Sequence, residues 1–161
     1  MVGGLLLLLA VAPFPTAAQR PDAGDGYRVG ITVGGISTVG LTLELYRDAR
    51  SIDLTLGTFS FRDVALSAVV KQYFRDSALR PFVGAGLWLM VASPNDADRT
   101  GLALVARLPL GVDWNVSGDH SIGTEITINR ALAIRRPDSA DDRPLNGRLV
   151  PLPGIYYRWA P

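Results

Sequence analysis

Residues 102–116 read Leu-Ala-Leu-Val-Ala-Arg-Leu-Pro-Leu-Gly-Val-Asp-Trp-Asn-Val, an alternation of period two sustained over fifteen positions. Leu102, Leu104, Ala106, Leu108, Leu110, Val112, Trp114 and Val116 share one face. The other face carries Ala103, Val105, Arg107, Pro109, Gly111, Asp113 and Asn115. Successive side chains of a strand point to opposite sides, so this stretch is a long β-strand with one aliphatic face.

The same reading extends outward from it. Seven further segments alternate, at about 27–34, 40–46, 51–58, 64–74, 81–92, 120–130 and 149–159, with Gly, Pro, Asp, Ser or Asn in most of the gaps. No helix of ordinary length is predicted. The chain is an all-β meander of eight strands, and its 161 residues bound it to one modest domain.

Composition narrows the function. Sixteen basic against fifteen acidic residues give no cationic surplus for phosphate neutralisation, which argues against a nucleic-acid partner. With no cysteine, disulfide frameworks, zinc knuckles and thiol nucleophiles are excluded. Leu5–Leu9 and the following Ala-Val-Ala-Pro-Phe are half of what a spanning helix needs, and Thr16-Ala17-Ala18 supplies small residues for cleavage. The segment 1–18 therefore reads as a secretory signal, with 19–26 a short periplasmic segment and 27–161 the barrel.

Alternation alone does not say which face is inside. A soluble barrel buries its aliphatic face, and a membrane barrel shows it to lipid. Three patterns favour the membrane form. The in-strand charges Arg28, Glu44, Asp53, Lys71, Arg107, Asp113, Glu125 and Arg158 all oppose the aliphatic face, four of each sign. An eight-stranded lumen is just wide enough for side chains, so charges there must pair, and these eight are predicted to form an interior network. Connections alternate between short turns and longer polar loops, the last at about 131–148. Tyr27, Tyr46, Phe74, Phe82, Trp114, Tyr157 and Trp159 gather at one rim, where a periplasmic aromatic belt is expected.

The runs Arg80-Pro-Phe-Val-Gly-Ala-Gly86, Gly111-Val-Asp-Trp-Asn-Val116 and His120-Ser-Ile-Gly-Thr-Glu125 resemble strands five to seven of small outer-membrane β-barrels of the OmpA/OmpX-like type. Gly154-Ile-Tyr-Tyr-Arg-Trp159 resembles the last strand that the barrel assembly machinery reads. The resemblance implies a monomeric transmembrane barrel in contact with outer-membrane lipid and lipopolysaccharide. Pro109, Pro151 and Pro153 conflict with a closed barrel, where every strand needs its backbone donors. Pro151 and Pro153 are expected at the outer rim or in an irregular start of strand eight.

Catalytic, cofactor and metal sites are not predicted. His120 is flanked by Ser117, Asp119 and Ser121, but neighbours along a turn do not converge as nucleophile, base and orienter. Asn95, Asp96, Asp98, Asp138, Asp141 and Asp142 lack the glycine and terminal glutamate of a calcium loop. Arg130, Arg135, Arg136, Arg143 and Arg148 make the last loop a contact for lipid phosphates or a surface partner. Gly30, Gly84, Gly86, Gly111, Gly123 and Gly154 fall on the inward face, where glycine permits tight curvature or makes room for long arginines. The reading is a sealed outer-membrane barrel with a structural, adhesion or surface-interaction role and no open pore. Two alternatives stand beside it: a secreted or periplasmic soluble barrel holding a hydrophobic ligand, and a membrane-embedded lipid-modifying enzyme.

Overall fold

The computed structural model describes residues 25–35, 37–60, 63–75, 77–93, 100–138 and 147–161. Eight strands follow one another: β1 (Gly26–Gly34), β2 (Ser37–Arg47), β3 (Arg50–Thr58), β4 (Asp63–Tyr73), β5 (Leu79–Ala92), β6 (Gly101–Ser117), β7 (His120–Arg135) and β8 (Val150–Trp159). Each pairs antiparallel with the next, and β8 closes on β1 to complete an up-and-down barrel. The signal segment 1–18 and residues 19–24 lie outside the described residues. So do Asn95, Asp96, Asp98, Asp141, Asp142 and Arg143.

One end of the barrel carries the short connections 48–49, 74–78 and 118–119, and is called the turn end. The opposite loop end carries 35–36, 59–62, 93–100 and 136–149. The sequence reading closed strand seven at residue 130, yet β7 runs on to Arg135. A bulge lets it do so: Leu104 pairs Ala133 while Val105 pairs Ala131, and the extra residue keeps β7 on β6 beyond the point where β8 begins. Arg130 and Arg135 are therefore strand residues rather than members of the last loop.

Exposure settles which face is inside. Leu41 is 65% exposed, Ile31 52% and Ile126 49%, whereas Glu44 and Asp113 are fully buried. The aliphatic face is the outer wall and the polar face fills the lumen, the reverse of a soluble carrier barrel. At the loop end the lumen turns apolar, where Ala65, Trp88 and Val105 pack together with Met90 against them. Phe59 lies against Trp88 with ring centroids 5.9 Å apart.

The prolines fit for two different reasons. Pro151 and Pro153 pair with Ile128 and Ile126 of β7, while on the other side β1 ends opposite Gly154. The Pro153 carbonyl accepts from Gly35 N, so its backbone polar groups face the β1 side, and Pro151, two residues back, faces the same way past the end of β1. Both stand at the start of β8, where the sheet has an edge because β1 has already ended, and Pro153 lies opposite Ile126, well below the rim. Pro109 sits in mid-strand, and there the β5–β6 ladder opens. Pairing stops at Val83↔Leu110 and resumes in the same register at Gly86↔Arg107. The buried Pro109 ring lies over Gly84, where an added Cβ would approach its Cγ to 3.0 Å.

Candidate functional site

The charged side chains predicted to oppose the aliphatic face meet inside the lumen, and with Arg80 of β5 added each of the eight strands supplies at least one charge. At the turn end, Arg80 Nη2 lies 2.7 Å from Asp113 Oδ2. Asp113 Oδ2 also accepts from Arg28 Nη1 at 3.0 Å. Arg28 Nε donates to Glu44 Oε2 at 2.8 Å, and Glu44 Oε2 lies 3.3 Å from Arg158 Nη1. Arg158 Nη2 then pairs with Asp53, whose Oδ2 is 2.7 Å from Lys71 Nζ. Lys71 reaches Glu125 at 3.4 Å, and Glu125 reaches Arg107 at 3.4 Å. The result is one unbroken chain of nine charges of alternating sign, ending at Arg107.

Hydroxyl groups take up some of the remaining valences, while Asp113 Oδ1, Arg107 Nε and Arg158 Nε stay without a hydrogen-bond partner among the described residues. Ser51 Oγ and Tyr73 Oη donate to Glu44 Oε1 at 2.6 and 2.5 Å. Arg28 donates to Ser121 Oγ at 3.0 Å, and Arg107 to Ser67 Oγ at 2.5 Å. Buried charges survive only when paired and hydrogen-bonded, so these hydroxyls are part of the network rather than filler. A cavity of about 20 Å³, enough for about one water, lies between Thr32, Thr42, Asp53, Arg107, Tyr156 and Arg158.

Arg80 is not among the eight residues predicted from sequence, because β5 begins at Leu79, ahead of the alternating segment 81–92. With it the balance is five cations to four anions rather than four to four. Two aromatic assignments also change. Phe82 and Tyr46 were expected in the rim belt, but Phe82 is 3% exposed and packs with Tyr73 and Tyr156 inside the barrel. Tyr46 is half-buried beneath the Arg28 guanidinium, 5.6 Å from its ring centre. Strand parity decides both: Phe82 shares a face with Arg80 and Gly84, and Tyr46 with Glu44. Tyr27, Phe74, Trp114, Tyr157 and Trp159 do stand on the outer wall at the turn end, each at least 40% exposed.

The interior aromatics hold the cations from the side. Lys71 Nζ is 4.5 Å from the Phe82 ring centre and 5.0 Å from that of Tyr156, and the Arg158 guanidinium stacks on Tyr156 at 3.8 Å. Space for these large groups comes from glycines directly across the ladder. Gly111 faces Phe82, Gly123 faces Tyr156, Gly30 faces Arg158 and Gly86 faces Arg107. A Cβ on Gly123 would overlap the Tyr156 ring.

The residues around His120 do not assemble into a triad. His120 is exposed on the outer wall, with Nδ1 2.7 Å from Tyr157 Oη, whereas the buried Ser121 points inward to Arg28. Among the described residues no group of three or more His, Asp or Glu side chains is placed to hold a metal ion.

A closed eight-stranded antiparallel barrel, charged within and aliphatic without, has the architecture of the small OmpA-like outer-membrane barrels. Among solved structures, this chain is similar in fold to the crystal structure of the N-terminal β-barrel domain of Pseudomonas aeruginosa OprF, with a TM-score of 0.61 and 13% sequence identity. The match covers 84% of this chain and 98% of that one. No family model and no curated protein matches the sequence.

Two substitutions test the interior. Glu44→Gln leaves Arg28 and Arg158 facing a neutral amide, and a destabilisation of about 3–5 kcal/mol is expected from urea midpoints of the folded barrel in lipid vesicles. Arg80→Gln should cost clearly less in the same assay, because Asp113 keeps Arg28 and Arg80 is nearest the mouth. Separately, Gly111→Val would drive a side chain into the Thr124 carbonyl and the Phe82 ring. A loss of about 1–3 kcal/mol is expected from overpacking, with the heat-shifted folded band on a cold gel weakening in parallel.

Proposed function

We propose that this chain is exported to the outer membrane of a Gram-negative-type envelope, where it stands as a monomeric barrel with a structural or surface-interaction role. The observation that carries the reading is the segregation of charge. Every acidic residue of the eight strands faces the lumen, and the outer wall between the two rims is aliphatic. An apolar band of that kind, about 25 Å tall, is what lipid requires of a barrel. In this placement the turn end is periplasmic, its five outward aromatic rings sit at the membrane interface, and the loops face outward from the cell.

The lumen is read as sealed. Nine linked charges fill its lower part, the Trp88 cluster closes the loop end, and eight strands leave room for side chains only. The end of the last strand, Gly154–Trp159, is the segment offered to the assembly machinery, with Tyr157 and Trp159 on its outer face.

Membrane fractionation of the expressed chain, followed by cold and boiled samples on a denaturing gel, tests the placement. Recovery in the outer membrane with a heat-dependent mobility is expected. Release with the soluble periplasm and no heat shift would overturn it. Ile126→Arg supplies a second check, since Ile126 lies midway along the membrane-crossing part of β7. It should destabilise the barrel in lipid by about 2–4 kcal/mol in urea titrations, an effect that shrinks as the arginine is moved toward either rim.

A further inference from the structure

Charge on the outer wall is confined to the two rims. At the turn end, Arg47 and Arg50 face outward and both are engaged: Arg47 lies 3.5 Å from Asp25, and Arg50 donates to Gln72 at 3.1 Å. At the loop end, Arg130 and Arg135 face outward on β7, opposite Ala106 and Leu102 of β6. Both are exposed, and neither has an ion-pair or hydrogen-bond partner among the described residues. Strand acids offer them none, because Glu44, Asp53, Asp63, Asp113 and Glu125 all belong to the inward face.

Their height on the wall is specific. β7 leaves the turn end at His120, beside Tyr157 and Trp159, and about 9–11 residues of tilted strand cross the hydrocarbon layer. Arg130 thus reaches the far boundary, and Arg135 stands above it. Below Arg130 the wall is Leu108, Leu110 and Ile126, each about half exposed. A phosphate above and acyl chains below is the chemistry this surface complements. Guanidinium groups hold phosphate oxygens in a bidentate fork, and their long stems can lie along apolar surface while the head reaches water. A second copy of the chain is a poor occupant, since its own outer wall has no strand carboxylate to present.

We propose that Arg130 and Arg135 bind phosphate groups of phosphorylated outer-leaflet lipid whose acyl chains lie on Leu108, Leu110 and Ile126, a proposal that rests on the membrane placement above. The full-length chain, folded into phosphatidylcholine bilayers, is to be probed by electron paramagnetic resonance with spin-labelled phosphatidic acid and spin-labelled phosphatidylcholine. Enrichment of phosphatidic acid at the barrel is expected, with loss of most of it in Arg130→Gln/Arg135→Gln and retention in Arg130→Lys/Arg135→Lys. Arg47→Gln/Arg50→Gln, at the other rim, should leave that enrichment largely intact. The heat-shift gel verifies that each variant is folded, and the lysine pair carries the test if the glutamine pair is not. Undiminished enrichment in the glutamine variant, or no preference in the wild type, would overturn the proposal while leaving the barrel in the membrane. Displacement of the labelled lipid by inorganic phosphate would make this a free-anion site and overturn the lipid assignment. A chain that does not enter bilayers at all overturns both readings.

Discussion

An ionised side chain inside a barrel this narrow is tolerated only beside a partner of opposite sign, and that requirement governs the whole structure. Five cations and four anions alternate along a single path from Arg80 to Arg107, and all eight strands contribute to it. A one-residue slip of any strand would turn its charge out to the aliphatic outer wall and leave its neighbours unpaired. The network therefore fixes register as much as it fills space. Direct attraction is only part of its effect: removing one member exposes the desolvation penalty of the two it served.

Volume is managed by the same ladder. Phe82, Tyr156, Arg158 and Arg107 each have a glycine directly across, so a bulky inward group meets an empty position on the adjacent strand. Close approach on this scale explains why mid-strand glycines, which weaken an ordinary sheet, are at home here. Pro109 follows the same logic by a different route. Its ring fills the lumen above Gly84, at the expense of a local gap in the β5–β6 ladder.

Most of the architecture was legible in the alternation of residues 102–116 and its seven counterparts. Period two names both faces, and placing the charges opposite the leucines then distinguishes lipid-facing from solvent-facing sheets. The aromatic belt was misread at Phe82 and Tyr46 because position along the chain was used where parity decides: both are even-numbered members of strands whose even positions face in. Arg80 was missed for want of two residues at the start of β5. The outward run of β7 to Arg135 was hidden by the bulge beside Ala131, which breaks the period that the reading relied on. Loop geometry has no such periodic signal, and the sequence is silent about it.

Arg158 occupies the middle of the charge path. Four residues, Arg80, Asp113, Arg28 and Glu44, lie on one side of it, and Asp53, Lys71, Glu125 and Arg107 on the other. Among the described ion pairs, this arginine alone joins the two halves. It stands on β8, the strand that closes the barrel against β1. Until β8 docks, the other strands hold two disconnected clusters and a gap beside Glu44 and Asp53, so closure of the barrel and completion of the charge path are a single event.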